Sequence, residues 1–106
     1  MDLILKKVNS KNLFSVRSKV LRNNASYEYC KFEGDDRTDS IHIGAYQNNV
    51  ILGGVSLIKN KSTRIELENC YQLRGMCVLK NFQKKGIGHK LIQRAEKTWR
   101  NLNVDN

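Results

Sequence analysis

The chain has no apolar run near the roughly 18 residues that a membrane-spanning helix requires. The apolar part of its opening, MDLILKKV, is also too short for a secretory signal. A soluble, cytoplasmic protein without a membrane partner is therefore expected. Cysteine is scarce: Cys30, Cys70 and Cys77 are odd in number and lack the close pairing of a zinc site or a redox motif. They read as reduced thiols, with no metal expected. There is no block of five like charges, and no basic stretch interleaved with aromatics of the kind that single-strand nucleic-acid binders use. Repeats, low-complexity tracts and linkers are missing too, so no internal boundary is expected and residues 1–106 form one domain.

What is present is a surplus of positive charge: 19 basic against 10 acidic residues, net +9, spread from Lys6 to Arg100. That balance is compatible with nucleic acid, an anionic surface, a phosphate-bearing small molecule or a solvated basic exterior, and charge alone does not choose. A hydrophobic fraction of 40% in 106 residues is enough for one core.

Periodicity orders the elements. LILKKV reads as a short strand, and Ser10 then stands at an N-cap position ahead of Leu13, Val16, Val20 and Leu21 at helical spacing. From Asn23 to Asp39 the chain is polar and turn-rich, a loop with room for one helical turn. SIHIGAYQ alternates, with Ile41, Ile43 and Ala45 opposite His42, Gly44 and Tyr46, as a half-buried strand does. Asn48 and Asn49 suit a tight hairpin turn into VILGGVSLI, which is apolar enough to be covered on both faces. Residues 60–69 read as an exposed connection, in which Arg64 to Leu67 alternate well enough to extend a strand. YQLRGMCVL gives another strand, with Tyr71, Leu73, Gly75, Cys77 and Leu79 on one side and Gln72, Arg74, Met76 and Val78 on the other. Ile87, Leu91, Ile92, Ala95 and Trp99 then form one stripe of an amphipathic helix.

Between that last strand and helix lies QKKGIG. A glycine-containing turn from strand to helix leaves backbone N–H groups pointing at the helix start, where they bind phosphate. Gly86 and Gly88 allow unusual dihedrals and close approach of an anion, and Lys84 and Lys85 add charge. The plainer reading is that the glycines only end the strand and let the helix pack. Two other nucleotide motifs fail here: the P-loop pattern is absent, and the dinucleotide fingerprint has Leu91 where its third glycine belongs.

LRGMCVLKNFQKKGIGHKLI resembles the cofactor-binding motif of the GNAT superfamily of acyl-CoA-dependent N-acetyltransferases, with Gln-x-x-Gly-x-Gly at Gln83, Gly86 and Gly88. IHIGAYQNNVILGGVSLI resembles that family's central hairpin, and VLR at Val20 to Arg22 fits its early helix. The resemblance covers nearly the whole chain. It implies an α/β (α+β) fold: a mixed, mainly antiparallel sheet flanked by helices, here C-terminally short. It implies acetyl-CoA as cosubstrate and an amine acceptor. Backbone near Cys77, Val78 and Leu79 would meet the pantetheine arm, and Gln83, Lys84, Lys85, Gly86, Ile87, Gly88 and His89 would hold the pyrophosphate. Lys84 stands where many relatives have glycine, and Lys80-Asn81 replaces a common proline-containing turn. Family members usually continue through further strands and a helix, and a tyrosine from that part often protonates the departing thiolate. No residue after Trp99 can take that role, and the open edge of the fourth strand would invite pairing with a second copy or another chain.

The expected reaction is direct attack of a neutral amine on the thioester, without a covalent enzyme intermediate. Cys77 lies in an apolar strand and reads as core rather than nucleophile. No base or acid is assigned. Glu66 and Glu68 are weak candidates. His42 reads as solvent-facing and His89 as a first-turn residue, while Tyr46 and Trp99 read as packing. A noncatalytic acyl-CoA-binding or regulatory module that keeps the phosphate loop is the second reading. A nucleic-acid-binding domain, whose affinity would fall steeply with salt, ranks third.

Overall fold

The computed structural model describes residues 3–32, 34–59 and 71–102. Four strands form one antiparallel sheet in chain order: β1 (Ile4–Val8), β2 (Ile41–Gln47), β3 (Val50–Lys59) and β4 (Tyr71–Val78). One helix, α1 (Phe14–Leu21), follows β1, and a second, α2 (Ile87–Leu102), follows β4. This is the α+β architecture expected. The segment holding Arg64 to Leu67, Glu66, Glu68 and Cys70 lies outside the described residues.

The β2–β3 turn is set by two asparagines. Asn48 and Asn49 have φ of +52° and +66°, the left-handed pair that a two-residue type I′ turn requires and that asparagine tolerates better than most side chains. The turn places Ile41, Ile43 and Ala45 opposite Leu57, Val55 and Gly53. Across that face Ile87, Leu91 and Ala95 of α2 complete the main core, four residues apart on one helical stripe. Each large aliphatic side chain sealed there contributes on the order of 1.5–3 kcal/mol. Leu13, Val16 and Cys77 form a second cluster on the opposite face, beneath α1.

Three local expectations are corrected. Ser10 is not the helix cap: Asn9, in extended backbone, precedes a 3-10 turn (Ser10–Leu13) that leads into α1, and Ser10 is buried. The Asn9 N–H donates to Asn12 Oδ1 and the Asn12 N–H to the Asn9 carbonyl, so the asparagine pair closes the turn. β2 is not half-buried: α2 covers one face, the Ser10–Leu13 turn and the loop at Asp35 cover the other, and every residue from Ile41 to Ala45 is buried. The strict alternation of β4 fails at Gly75, where φ is +62°.

There the register steps from Gly54 opposite Cys77 to Ser56 opposite Arg74, so Gly75 and Met76 together oppose Val55. This is a bulge, with one extra residue on β4 and a left-handed glycine at its start. As a result Leu73, paired with Leu57, faces α2, whereas Cys77 faces α1. The two do not share a side. An ideal Cβ on Gly75 would come within 2.4 Å of the Phe32 ring, so the position excludes larger residues sterically as well.

Candidate functional site

β4 is one of the two edges of the described sheet. The Leu79 N–H donates inward to the Leu52 carbonyl at 2.8 Å, so the period-2 backbone turns the amide and carbonyl of Val78 outward to the open edge. The Gln83 carboxamide meets that carbonyl at 2.9 Å. A 3-10 turn (Lys80–Phe82) carries the chain around, and the Gln83 N–H closes it on the Lys80 carbonyl at 3.3 Å.

Lys84 and Gly86 then take φ of +64° and +84°. The Lys90 N–H makes the first helical bond, to the Gly86 carbonyl at 3.1 Å. The amides of Ile87, Gly88 and His89 therefore stand ahead of the α-helical ladder, at the positive end of a 16-residue helix. A Cβ on Gly86 would meet no protein atom within 4 Å. Glycine is demanded there by backbone angle, and the space over the turn is open to an incoming group. A Cβ on Gly88 would sit 3.7 Å from Met76 Cε and 4.0 Å from Val78 Cγ2, against the floor of the same space.

That space is a cleft of about 290 Å³ between β4 and the start of α2, lined by Met76, Cys77, Val78, Gln83, Lys84 and Gly88 together with Val20 and Phe82. Five of the ten residues expected at the cofactor site thus line one cleft. Leu79 lines the adjoining groove of about 550 Å³, which shares Val20, Phe82 and Gln83 with it. Lys85 leans over the Phe82 ring, 5.5 Å from its centroid. Gly86 and His89 are exposed on the turn. The Ile87 side chain is 2% exposed and belongs to the core, which leaves only its backbone to the site.

Cys77 is buried, and burial pushes its thiol up to about 11, with the Arg17 charge and the Gly54 amide opposing. Its thiolate is scarce at neutral pH, as a packing residue's would be. Among the described residues, no carboxylate or imidazole lines the cleft beside β4.

A buried polar cluster, which no local sequence pattern signals, stands behind the site. Arg17, fully buried, donates from Nη1 to Asp35 Oδ2 (2.6 Å) and the Cys30 carbonyl (2.9 Å), and from Nη2 to Asp35 Oδ1 (3.2 Å) and Ser56 Oγ (2.8 Å). Ser56 Oγ lies 2.6 Å from His42 Nδ1, and His42 Nε2 lies 3.0 Å from the Asp35 carbonyl. A carbonyl only accepts, so Nε2 carries a proton. Ser56 Oγ, which accepts from Arg17 Nη2, links the guanidinium to Nδ1, and His42 closes the chain of bonds as an internal strut. His42 is 5% exposed, which corrects the solvent-facing expectation. The Asp35 carboxylate also accepts the Phe32 N–H at 2.8 Å, and the Phe32 ring lies 4.0 Å from Arg17 Cζ.

Residues 11–106 match the sequence model of the acetyltransferase (GNAT) family. The chain belongs to that family. It is 27% identical over 94 residues to the uncharacterized N-acetyltransferase YitI of Bacillus subtilis strain 168, an alignment covering 89% of this chain and 63% of that protein. The chain thus spans less than two thirds of that curated relative. Its fold matches that of an aminoglycoside acetyltransferase from an uncultured soil metagenomic sample, in complex with trehalose: TM-score 0.73, 18% identity, 95% of this chain and 72% of the other. It also matches AAC(6')-Iy in complex with the bisubstrate analogue CoA-S-monomethyl-acetylneamine: TM-score 0.71, 15% identity, 98% and 75% covered.

Proposed function

We propose that this GNAT domain binds acetyl-CoA and transfers its acetyl group to a primary amine by direct attack. The observation that carries the reading is the cleft itself. It joins the outward-facing backbone of β4 at Val78 to a left-handed, glycine-containing turn at a helix start, with Lys84 on its wall. The amides of Ile87, Gly88 and His89, with Lys84 and Lys85 beside them, would hold the pyrophosphate. Met76, Cys77 and Val78, with Leu79 just beyond, offer an apolar floor and edge backbone groups for the extended arm.

Acetyl-CoA supplies an activated carbonyl: the amine nitrogen bonds to the carbonyl carbon, the carbon–sulfur bond breaks, and the proton lost by nitrogen balances the one gained by sulfur. The outward N–H at the β4 edge would polarise the carbonyl, a contribution made by a backbone group already fixed in place. With no carboxylate or imidazole lining the cleft among the described residues, proton removal is assigned to water. That same feature favours the second reading, a noncatalytic acyl-CoA-binding module.

Calorimetric titration with acetyl-CoA, with desulfo-CoA as control, tests the cofactor reading. Micromolar binding is expected, lost at least tenfold in Gly86→Val. That variant must abandon φ +84° and fills the open space over the turn. A folded chain that binds no acetyl-CoA would overturn the reading. Affinity without release of free thiol in the presence of amines would select the noncatalytic module.

A further inference from the structure

A second cleft, about 370 Å³, opens on the other side of the β4 bulge and is lined by Arg22, Lys31, Phe32, Arg74 and Gly75. It is contiguous in sequence with the first: Gly75 lines one cleft and Met76 the other. If the thioester lies along β4 as proposed above, an amine approaching it from the far side of the bulge passes through this basic cleft. The geometry points to an acceptor that is an amine bearing an anionic group, a phosphate or a carboxylate, held by Arg22 and Lys31.

The charge balance around the cleft supports this. The Asn23 to Asp39 loop is rich in acid, yet three of its described carboxylates are directed elsewhere. Asp35 is buried against Arg17, Asp39 meets Arg37 at 3.2 Å, and Glu28 accepts from Ser26 at 3.4 Å. Among the described residues, no carboxylate lines the cleft. Asp36 does pair with Lys31, but both side chains are more than half exposed, and such a pair is weak enough to yield to a ligand. Arg22 is different. Its guanidinium is positioned by the carbonyls of Tyr29 (3.3 Å) and Leu21 (3.4 Å) and lies 5.1 Å from the Phe32 centroid. These partners orient the group without neutralising it, and a planar cation held that way suits a carboxylate or phosphate. The same field repels polycationic acceptors.

The inference rests on the acetyl-CoA reading only for which atom reacts, so binding tests it separately. The intact chain is titrated calorimetrically, in the presence and absence of CoA, with two matched pairs: glucosamine 6-phosphate against glucosamine, and glutamate against glutamine. At least one anionic probe is expected to bind tenfold or more tightly than its neutral partner, and which pair shows it separates phosphate from carboxylate. The preference should fall below threefold in Arg22→Gln/Lys31→Gln and return in part in Arg22→Lys/Lys31→Gln, with circular dichroism unchanged. Equal affinity within both pairs, no measurable binding of any probe, or a preference that survives the double substitution would overturn the inference. CoA affinity measured in the same series reports on the cofactor reading alone. An anion preference without CoA binding removes that reading and keeps this one, and CoA binding without an anion preference does the reverse.

Discussion

Arg17→Met tests the account of the buried cluster most directly. The arginine is fully buried and makes four hydrogen bonds, two of them to Asp35. Replacing it with an unbranched apolar side chain of similar length fills most of the space. It also leaves the Asp35 carboxylate buried with one amide donor, from Phe32, and takes the Arg17 donor from the Cys30 carbonyl. Breaking a buried pair from one side costs about 3–5 kcal/mol, and an orphaned carbonyl about 1 kcal/mol more. A domain of this size has only about 5–15 kcal/mol in total. Urea unfolding should therefore show a midpoint lowered by about a quarter or more at unchanged slope. Asp35→Leu should cost a similar amount, because it strands the guanidinium. The double substitution, which strands neither charge, should cost at least 3 kcal/mol less than the two single costs together. Additive costs, or a single cost below about 1 kcal/mol, would refute the claim that the two groups form one buried unit.

Cys77 gives a pH prediction. Its thiol is pushed up by burial to about 11, so above pH 9 the unfolded chain releases this proton first and binds fewer protons than the native one. Stability then falls as pH rises from about 9 to 11, by roughly 2.7 kcal/mol for two units. Below pH 9 this contribution is fully present. Cys77→Ala should remove that part of the slope in parallel denaturant titrations, and identical slopes would contradict the burial argument. Lys84→Gly gives the opposite kind of outcome. Relief of a left-handed lysine, about 1–2 kcal/mol, exceeds the entropy that glycine adds to the unfolded chain, about 0.4–1 kcal/mol. Differential scanning calorimetry should show a melting temperature a few degrees higher, and a fall would mean the turn needs its lysine for structure.

Much of the fold could be read because its elements repeat one signal. The two asparagines mark their own turn, α2 shows its buried stripe every fourth residue, and β3 is apolar from Val50 to Ile58 apart from its two glycines and Ser56. Where one residue breaks a pattern, local periodicity misleads. Gly75 sits in an alternating run and looks like a member of one face, yet its positive φ shifts every residue after it. A glycine inside a strand was the available signal for a bulge. Arg17 in FSVRSKVL looks like a solvent-facing helix residue, since an arginine's partners depend on segments 13 to 39 positions away. Two serines near it, Ser15 and Ser18, hinted only that this helix has no clean apolar face. The geometry of the Gln83–Gly88 turn, the one proposed to hold the cofactor, was legible for a different reason. The turn exposes consecutive backbone amides, so residue types that permit it are visible locally, whereas the cleft proposed for the acceptor is assembled from the end of α1, a loop and β4.

Those distant pieces are connected by the buried cluster. Arg17 ties the Cys30 carbonyl and Asp35 to α1, Asp35 holds the Phe32 amide, and Phe32 packs beside Gly75 on the cleft wall. Since an ion pair inside a protein adds little net stability over a well-packed apolar pair, its structural effect here is directional: it fixes where the loop bearing Lys31 and Phe32 meets the bulge. The Arg17→Met/Asp35→Leu chain separates these roles. It should recover stability relative to either single variant while losing the bonds to the Cys30 carbonyl, the Phe32 amide and Ser56. Its acetyl-CoA affinity should then stay within about threefold of the parent, because the Gln83 to His89 turn touches none of those groups. Binding of an anionic amine should weaken about tenfold as the Lys31–Phe32 segment loses its anchor. Equal losses at both clefts would show that the cluster supports the sheet as a whole rather than the loop at its edge.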